Sequence, residues 1–351
     1  MIKFIIKRTF YGILVVFGVL ISVFFIFHVL PGDPVAMIVG QRSDVANVEM
    51  IKKELGLDKP LLVQLGLYIN DISFLSIHEN TEQNFKKYRY KKLFNCGNNV
   101  IVIKKPYLRR SFQTGKRVDE IIWEHMEGTF WLTLSAMVFA TIIGITLGVF
   151  AALKQNSFWD HTILVVSILG ISIPSFVAAI LIIWIFAVLL GDYTGLNVTG
   201  QLWVTDPIRG RHLEIKNLIL PAFTLGLRPL SIIVQMTRGA MLEVLAQDYI
   251  RTARAKGLPF YEVVVKHALK NALNPVITAV SGWLASLMAG AFFVELVFNW
   301  KGLGLVTIKS VDSLDFPVVM GCTLFVAIIF IIINIVVDIL YAAIDPRVRL
   351  E

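Results

Sequence analysis

The chain has 351 residues, 56% of them hydrophobic, and a mean hydropathy of +0.72. That composition excludes an ordinary soluble domain and indicates a membrane protein. The formal charge of +8 would suggest nucleic acid for a soluble protein; in a membrane protein it reflects basic loops and anionic lipid.

Tyr11 to Leu30 is uncharged and long enough to cross the hydrocarbon core, which takes roughly 20 residues. Lys3, Lys7 and Arg8 precede it, and Pro31-Gly32-Asp33-Pro34 follows where a signal peptide would carry a small-residue cleavage site. An uncleaved first span over residues 1–30 is therefore expected, with His28 near its far end as an interfacial side chain. Residues 31–125 read as an extracytoplasmic loop. Val45, Val48, Ile51 and Leu55 have helical spacing, Gly56 to Leu61 breaks it, and Leu62 to Ile69 resumes it, predicting a small helical cap. From Asp71 to Tyr107 the chain is polar. It contains the basic, aromatic run Phe85-Lys86-Lys87-Tyr88-Arg89-Tyr90-Lys91-Lys92, which can contact phosphates and bases. No RNA- or DNA-binding module surrounds this run, so a solvated or lipid-touching loop is the better reading.

Residues 126–341 carry five more apolar segments: Phe130 to Leu153, Thr162 to Leu190, Leu218 to Thr237, Pro275 to Val294 and Phe316 to Val337. Pro174 is expected to kink the second of these, and Arg228-Pro229 to interrupt the third. An arginine near mid-membrane costs roughly 2.5–3.5 kcal/mol to insert, so Arg228 should face water or a partner. Arg228 and Pro174 are the candidates for a translocation pathway, with a structural pairing as the alternative for Arg228. Glu295 lies nearer the surface and reads as structural. A tail at 342–351 holds Arg347 and Arg349.

Between the fourth and fifth spans, residues 239–274 form a charged, amphipathic island. Two short helices are predicted. The first ends at Gly257, suited to a left-handed cap, and the second begins after Pro259. Val264, Ala268 and Ala272, with Leu269 and Leu273, give the second an apolar stripe, and Glu262 precedes Lys266 at the favourable spacing for an ion pair. Such an element has one face to bury and another to present to a partner.

Tyr249 to Leu258 (YIRTARAKGL) and His267 to Pro275 (HALKNALNP) resemble the cytoplasmic coupling loop, the EAA loop, of ABC-importer permeases, and in particular the dipeptide/oligopeptide/nickel permease family. The Glu-Ala-Ala of the general loop reads Arg251-Thr252-Ala253 here, and Lys270 stands where a proline is usual; both features are similar to the peptide subfamily. Gly56 to Leu61 with Gln64, Ile173 to Phe176, Glu295 to Leu305 and Asp315-Phe316-Pro317 resemble the same family, in order, over most of the chain except Asp71 to Tyr107. The resemblance implies an all-α membrane protein of six transmembrane helices with the type I ABC importer permease fold and both termini cytoplasmic. It implies that Asp248, Arg251, Thr252, Ala253, Arg254, Lys256 and Gly257 couple to an ATPase groove. It further implies a second permease subunit, two ATPase subunits carrying ATP and Mg, an extracytoplasmic substrate-binding protein, a place in the bacterial inner membrane, and a peptide, nickel or peptide-like cargo.

The distribution of Lys and Arg agrees with that orientation, since the N-terminus, the coupling loop and the tail are basic and lie on one side of six spans. The long loop after the first span is also basic, but loops beyond roughly 60 residues are exempt from the rule. No catalytic constellation is present: the sequence has no Walker-type phosphate loop, no H-E-x-x-H and no G-x-S-x-G, and its six histidines are scattered. Cys96 and Cys322 are too few and too differently placed to suggest a disulfide or metal cluster. No cofactor is expected on this chain. Two other classes remain, an ion-coupled transporter, which would want paired acids or internal repeats, and a membrane scaffold acting through the basic outer loop.

Overall fold

The computed structural model describes residues 2–29, 58–207 and 210–344. The predicted helix over Val45 to Leu55, the Pro31-Gly32-Asp33-Pro34 break and the tail beyond 344 lie outside the described residues. The chain divides into two compact units. One is built from Met1–Gly12, His125–Val306 and Val326–Glu351; the other from Ile13–Glu124 and Thr307–Phe325.

The second unit begins in helix α1 (Ile2–Val29) and continues through α2 (Leu61–Ile72), β1 (Leu75–Glu79), α3 (Glu82–Tyr88), β2 (Lys91–Cys96) and β3 (Asn99–Ile103). Helix α2 covers Leu62 to Ile69, where helical spacing is expected to resume, and buries Tyr68 with Leu20 and Phe24 of α1 and with Met320 and Leu324. The insertion departs from the all-α expectation. Its strands form an antiparallel sheet in the order β1-β3-β2. The β-branched run Val100-Ile101-Val102-Ile103 favours the extended chain. Gly97, at φ 59°, and Asn98 form a two-residue turn that pairs Cys96 with Asn99. Thr81 caps α3 by accepting from the Asn84 amide at 3.3 Å. One sheet face is covered, with Tyr90, Val100 and Val102 in a small core against Tyr88. The basic run is thus an ordered helix and strand.

The chain then forms α4 (Val118–Leu153), α5 (Phe158–Ser172), α6 (Ser175–Ile182, continuing as a wider π-helix over Ile183–Leu189) and the single turn α7 (Gly191–Thr194). A second hairpin, β4 (Trp203–Asp206) with β5 (Gly210–Leu213), precedes α8 (Lys216–Leu245). After it come α9 (Asp248–Ala255), α10 (Phe260–Glu262, extended as a π-helix over Val263–Leu269), α11 (Lys270–Gly290), α12 (Phe292–Val297), α13 (Leu303–Asp312) and α14 (Phe316–Ile344). Four described helices are long and apolar enough to cross a membrane, over Ile6–Ile26, Val118–Leu153, Lys216–Leu245 and Phe316–Ile339. The pair α5 and α6 makes a fifth if counted as one broken span.

Three local expectations are corrected. The predicted kink at Pro174 is a break: α5 stops at Ser172, Ile173 is extended, and the two helices diverge by 112°. A residue before proline is pushed out of the helical region, and Pro174 caps the next helix instead of bending one. The predicted interruption at Arg228-Pro229 is absent. Helix α8 runs through both Pro221 and Pro229, while the Thr224 and Ser231 hydroxyls donate to the Leu220 and Leu227 carbonyls. The second helix of the coupling loop is not separate either. It passes without a break through Pro275 into α11 and ends near Ala291.

In the first unit α8 is central, packed against α5 and α11. Its neighbours approach closely. A Cβ on Gly148 would stand 2.6 Å from the Thr237 Cβ, and one on Gly170 2.5 Å from the Ser231 hydroxyl. Small residues that let helix backbones approach are how spans pack without a hydrophobic driving force between them.

Glu295 proves to be a buried structural centre, with 0% of its surface exposed. Its carboxylate accepts from the Thr129 hydroxyl at 2.6 Å and the Leu305 amide at 2.9 Å. Thr129 in turn accepts from the Leu303 amide at 2.8 Å, and the Trp300 indole donates to the Gly128 carbonyl at 2.9 Å. A side chain on Gly302 would meet the Glu295 carboxyl at 2.4 Å. The motif Glu295 to Leu305 is therefore a chain that folds back on its own carboxylate.

Candidate functional site

The predicted coupling element is two-sided. Ile250 and Ala253 of α9 and Val263, Val264 and Ala268 of the following helix are buried with Ala152, Met241 and Ala272. This is the apolar stripe that the spacing predicted, now closed against the ends of α4 and α8. Gly257 joins the helices at φ 77°, a conformation that L side chains resist. Its amide donates to the Arg254 carbonyl at 3.0 Å, and the Leu258 amide to Ala253 at 3.4 Å.

The opposite side is exposed. It carries Tyr249, Arg251, Thr252, Arg254, Lys256, Phe260 and Tyr261. Of the seven predicted coupling residues, Asp248, Arg251, Thr252, Arg254, Lys256 and Gly257 are exposed, whereas Ala253 faces the buried cluster. Arg251 lies 3.5 Å from Asp248, an exposed pair of little energetic weight. Lys266 donates to Glu262 at 2.8 Å; the ammonium holds that carboxyl below its ordinary range and is itself raised. Asn271 donates to the Tyr249 hydroxyl at 2.9 Å, tying the two helices together.

A second feature lies close by in sequence. Arg238, one turn and more before the end of α8, grips Asp160 with two hydrogen bonds of 2.6 and 2.7 Å. Asp160 is 1% exposed and also accepts from the Asn156 amide at 2.9 Å. This clamp joins α8 to the start of α5. Sequence reasoning did not find this pair. The signal available was Ser157-x-x-Asp160, a helix-start pattern that the structure confirms, with Ser157 accepting from the Asp160 amide at 3.3 Å. The exposed aromatics Phe260 and Tyr261 were also missed.

Of the two predicted pathway residues, Arg228 lines a cavity of about 120 Å³ and Pro174 does not. Arg228 lines it directly, and Ile173 and Ser175, on either side of Pro174, line it with Thr224, Trp283 and Ser286. Arg228 is exposed, with no ion pair among the described residues. No group of three or more His, Cys, Asp or Glu among the described residues could hold a metal ion.

Comparison with known proteins gives the family of this helical chain. Residues 144–350 match the model of the binding-protein-dependent transport system inner membrane component, and residues 1–135 match that of its N-terminal part. The chain belongs to this family of ABC-importer permeases and is a multi-pass membrane protein. It is 36% identical over 364 residues to the dipeptide transport system permease protein DppB of Alkalihalophilus pseudofirmus, covering 99% of this chain and 100% of that one. It is 36% identical to the probable D,D-dipeptide transport system permease protein DdpB of Escherichia coli K12, covering 96% and 94%. It is 35% identical to the glutathione transport system permease protein GsiC of the same strain, covering 99% of each. Among solved structures, an inward-facing MetNI methionine ABC transporter aligns with a TM-score of 0.50 at 18% identity, covering 64% of this chain and 97% of that one.

Proposed function

We propose that this chain is the permease of an importer that carries short peptides across the bacterial cytoplasmic membrane, powered by separate ATPase subunits that bind ATP and Mg. The observation that carries the reading is the two-sided coupling element. Its apolar stripe is consumed by the permease itself, so its exposed aromatic and basic face is free for a groove on another protein. Full-length similarity to dipeptide and glutathione permeases supports a peptide cargo. With α5 and α6 as one broken span and α11 as a sixth, the chain crosses six times, and the basic N-terminus and coupling element fall on the cytoplasmic side. A second permease would complete the pathway, two ATPases would engage the coupling elements, and an extracytoplasmic binding protein would deliver cargo. Closure of the ATPases on nucleotide would select between two packings of the bundle.

The test is peptide uptake and peptide-stimulated ATP hydrolysis in proteoliposomes carrying this chain with the subunits expressed beside it. Arg254→Glu is expected to abolish both by detaching the ATPase, and Arg228→Leu to reduce uptake while the assembly stays intact. Full uptake by both variants would overturn the reading.

A further inference from the structure

We propose that the insertion following the first span is a membrane-seated element: the outer face of α2 and the uncovered face of the β1-β3-β2 sheet lie in the interfacial layer of the lipid bilayer. This goes beyond the transport reading and stands or fails independently of it.

The position of α2 is given by its packing. Its buried side rests on Phe24 and Leu20 of α1, within the last two turns of the apolar stretch Ile6–Ile26. It also rests on Met320 and Leu324, one and two turns into Phe316–Ile339. Helix α2 therefore lies at the edge of the hydrocarbon layer. At that level α1 itself presents Phe17 and Ile26 outward, as a lipid-facing helix does. The exposed surface of α2 is apolar as well: Leu61, Leu62, Val63 and Leu67 are exposed, Leu62 to 74%. In water such a helix would waste its surface; in the interface it does not.

The sheet is stitched to that helix. The Asn70 side chain donates to the Ile77 carbonyl at 2.8 Å and accepts from the Ile77 amide at 2.9 Å. The Lys104 amide donates to the Phe74 carbonyl at 3.0 Å, and the Tyr107 amide to Asp71 at 2.9 Å. Strand register then sets what the uncovered face shows. Leu75, Ile103 and Lys91 stand in one row, Ile77, Ile101 and Phe94 in the next, and Glu79 and Asn99 in the last. Two apolar rows end in a polar one. Phe94 is 69% exposed and Ile77 57%. Lys91, in the first row, has the reach to keep its stem in the apolar layer and its ammonium at anionic headgroups.

The experiment is nitroxide accessibility in the full-length chain, assembled with its co-purifying subunits in nanodiscs of phosphatidylethanolamine and phosphatidylglycerol. Labels are placed one at a time at Leu62→Cys, Ile77→Cys and Phe94→Cys in a Cys96→Ser background; Cys322 is buried. Phe17→Cys serves as the lipid reference and Glu79→Cys as the polar-row reference. Collision with oxygen, which concentrates in lipid, is expected to exceed collision with a water-soluble nickel chelate at all three sites, as at Phe17. A label at Ile103→Cys repeats the reading from the central strand, should an edge position disturb the sheet. Nickel access at Ile77 and Phe94 equal to that at Glu79 would place the face in water and overturn the proposal. Low access to both reagents would mean that protein, not lipid, covers the face, and would overturn it equally.

Discussion

Gly257 offers a perturbation whose size can be worked out in advance. Its φ of 77° lies in the left-handed region, and a Cβ built there meets no atom within 4 Å. Gly257→Ala therefore adds backbone strain and no clash. A left-handed alanine costs roughly 1–2 kcal/mol, and one or two kcal/mol is a factor of about 5–30 in an equilibrium. If the ATPase needs the two helices at their present angle, its affinity is expected to fall by up to that factor. Gly257→Asn, whose side chain tolerates the same conformation, is expected to lose less. The assay is titration of the ATPase onto the permease in nanodiscs, with peptide-stimulated hydrolysis beside it. Equal losses for Ala and Asn would refute the conformational argument, and no loss for Ala would show that the turn is not used.

Arg238→Ala leaves the Asp160 carboxylate buried without its cation, and removal of one partner from such a pair costs about 3–5 kcal/mol. Thermal unfolding in detergent should show the loss, and Asp160→Asn added to it should recover part. Thr129→Val removes hydrogen bonds to both Glu295 and Leu303, at about 1–3 kcal/mol for each buried group left unpaired; Thr129→Ser is expected to melt near the parent. His78 stacks on Tyr88 at 4.1 Å and is pushed down to about 4, first by burial and then by Lys104 and Lys87, with Asp71 opposing. A histidine whose folded value lies below its unfolded 6.5 stabilises when neutral. That contribution is present above pH 6.5 and is lost as pH falls toward 4. Protease nicking within residues 75–103 should therefore rise over that window, and His78→Phe should flatten the rise.

What the sequence disclosed follows from how local each signal is. The apolar runs, the buried stripe of the coupling element and the left-handed glycine are properties of a few neighbouring residues, and all three reappear in the structure. Pro174 was visible as a disturbance, but whether a proline bends or ends a helix depends on what packs beside it. At Pro229 the helix continues with flanking hydroxyls bonded to it; at Pro174 it does not. The Asp160–Arg238 and Thr129–Glu295 pairs join residues far apart in the chain, and no periodicity reports such a contact. The insertion hid its sheet because its strands are short and mixed with lysines, although Val100 to Ile103 and the Gly97 turn were the available signs.

The placement of α8 says how the two ends of the site can communicate. Arg228 at the cavity and Arg238 in the clamp are ten residues apart on one unbroken helix, about 15 Å at 1.5 Å per residue. Residues 246 and 247 alone separate that helix from α9. If residues 248–257 couple to an ATPase, a pull there would reach the cavity along α8, and α5 would have to move with it, because the clamp fixes α5 to α8. The close contacts at Gly148 and Gly170 leave little room for α8 to slide past α4 or α5. The 112° break between α5 and α6 interrupts that packing, and Ile173 and Ser175 beside it line the cavity. Motion imposed at Gly257 is thus expected to emerge as a change at Ile173 and Ser175, which line the same cavity as Arg228.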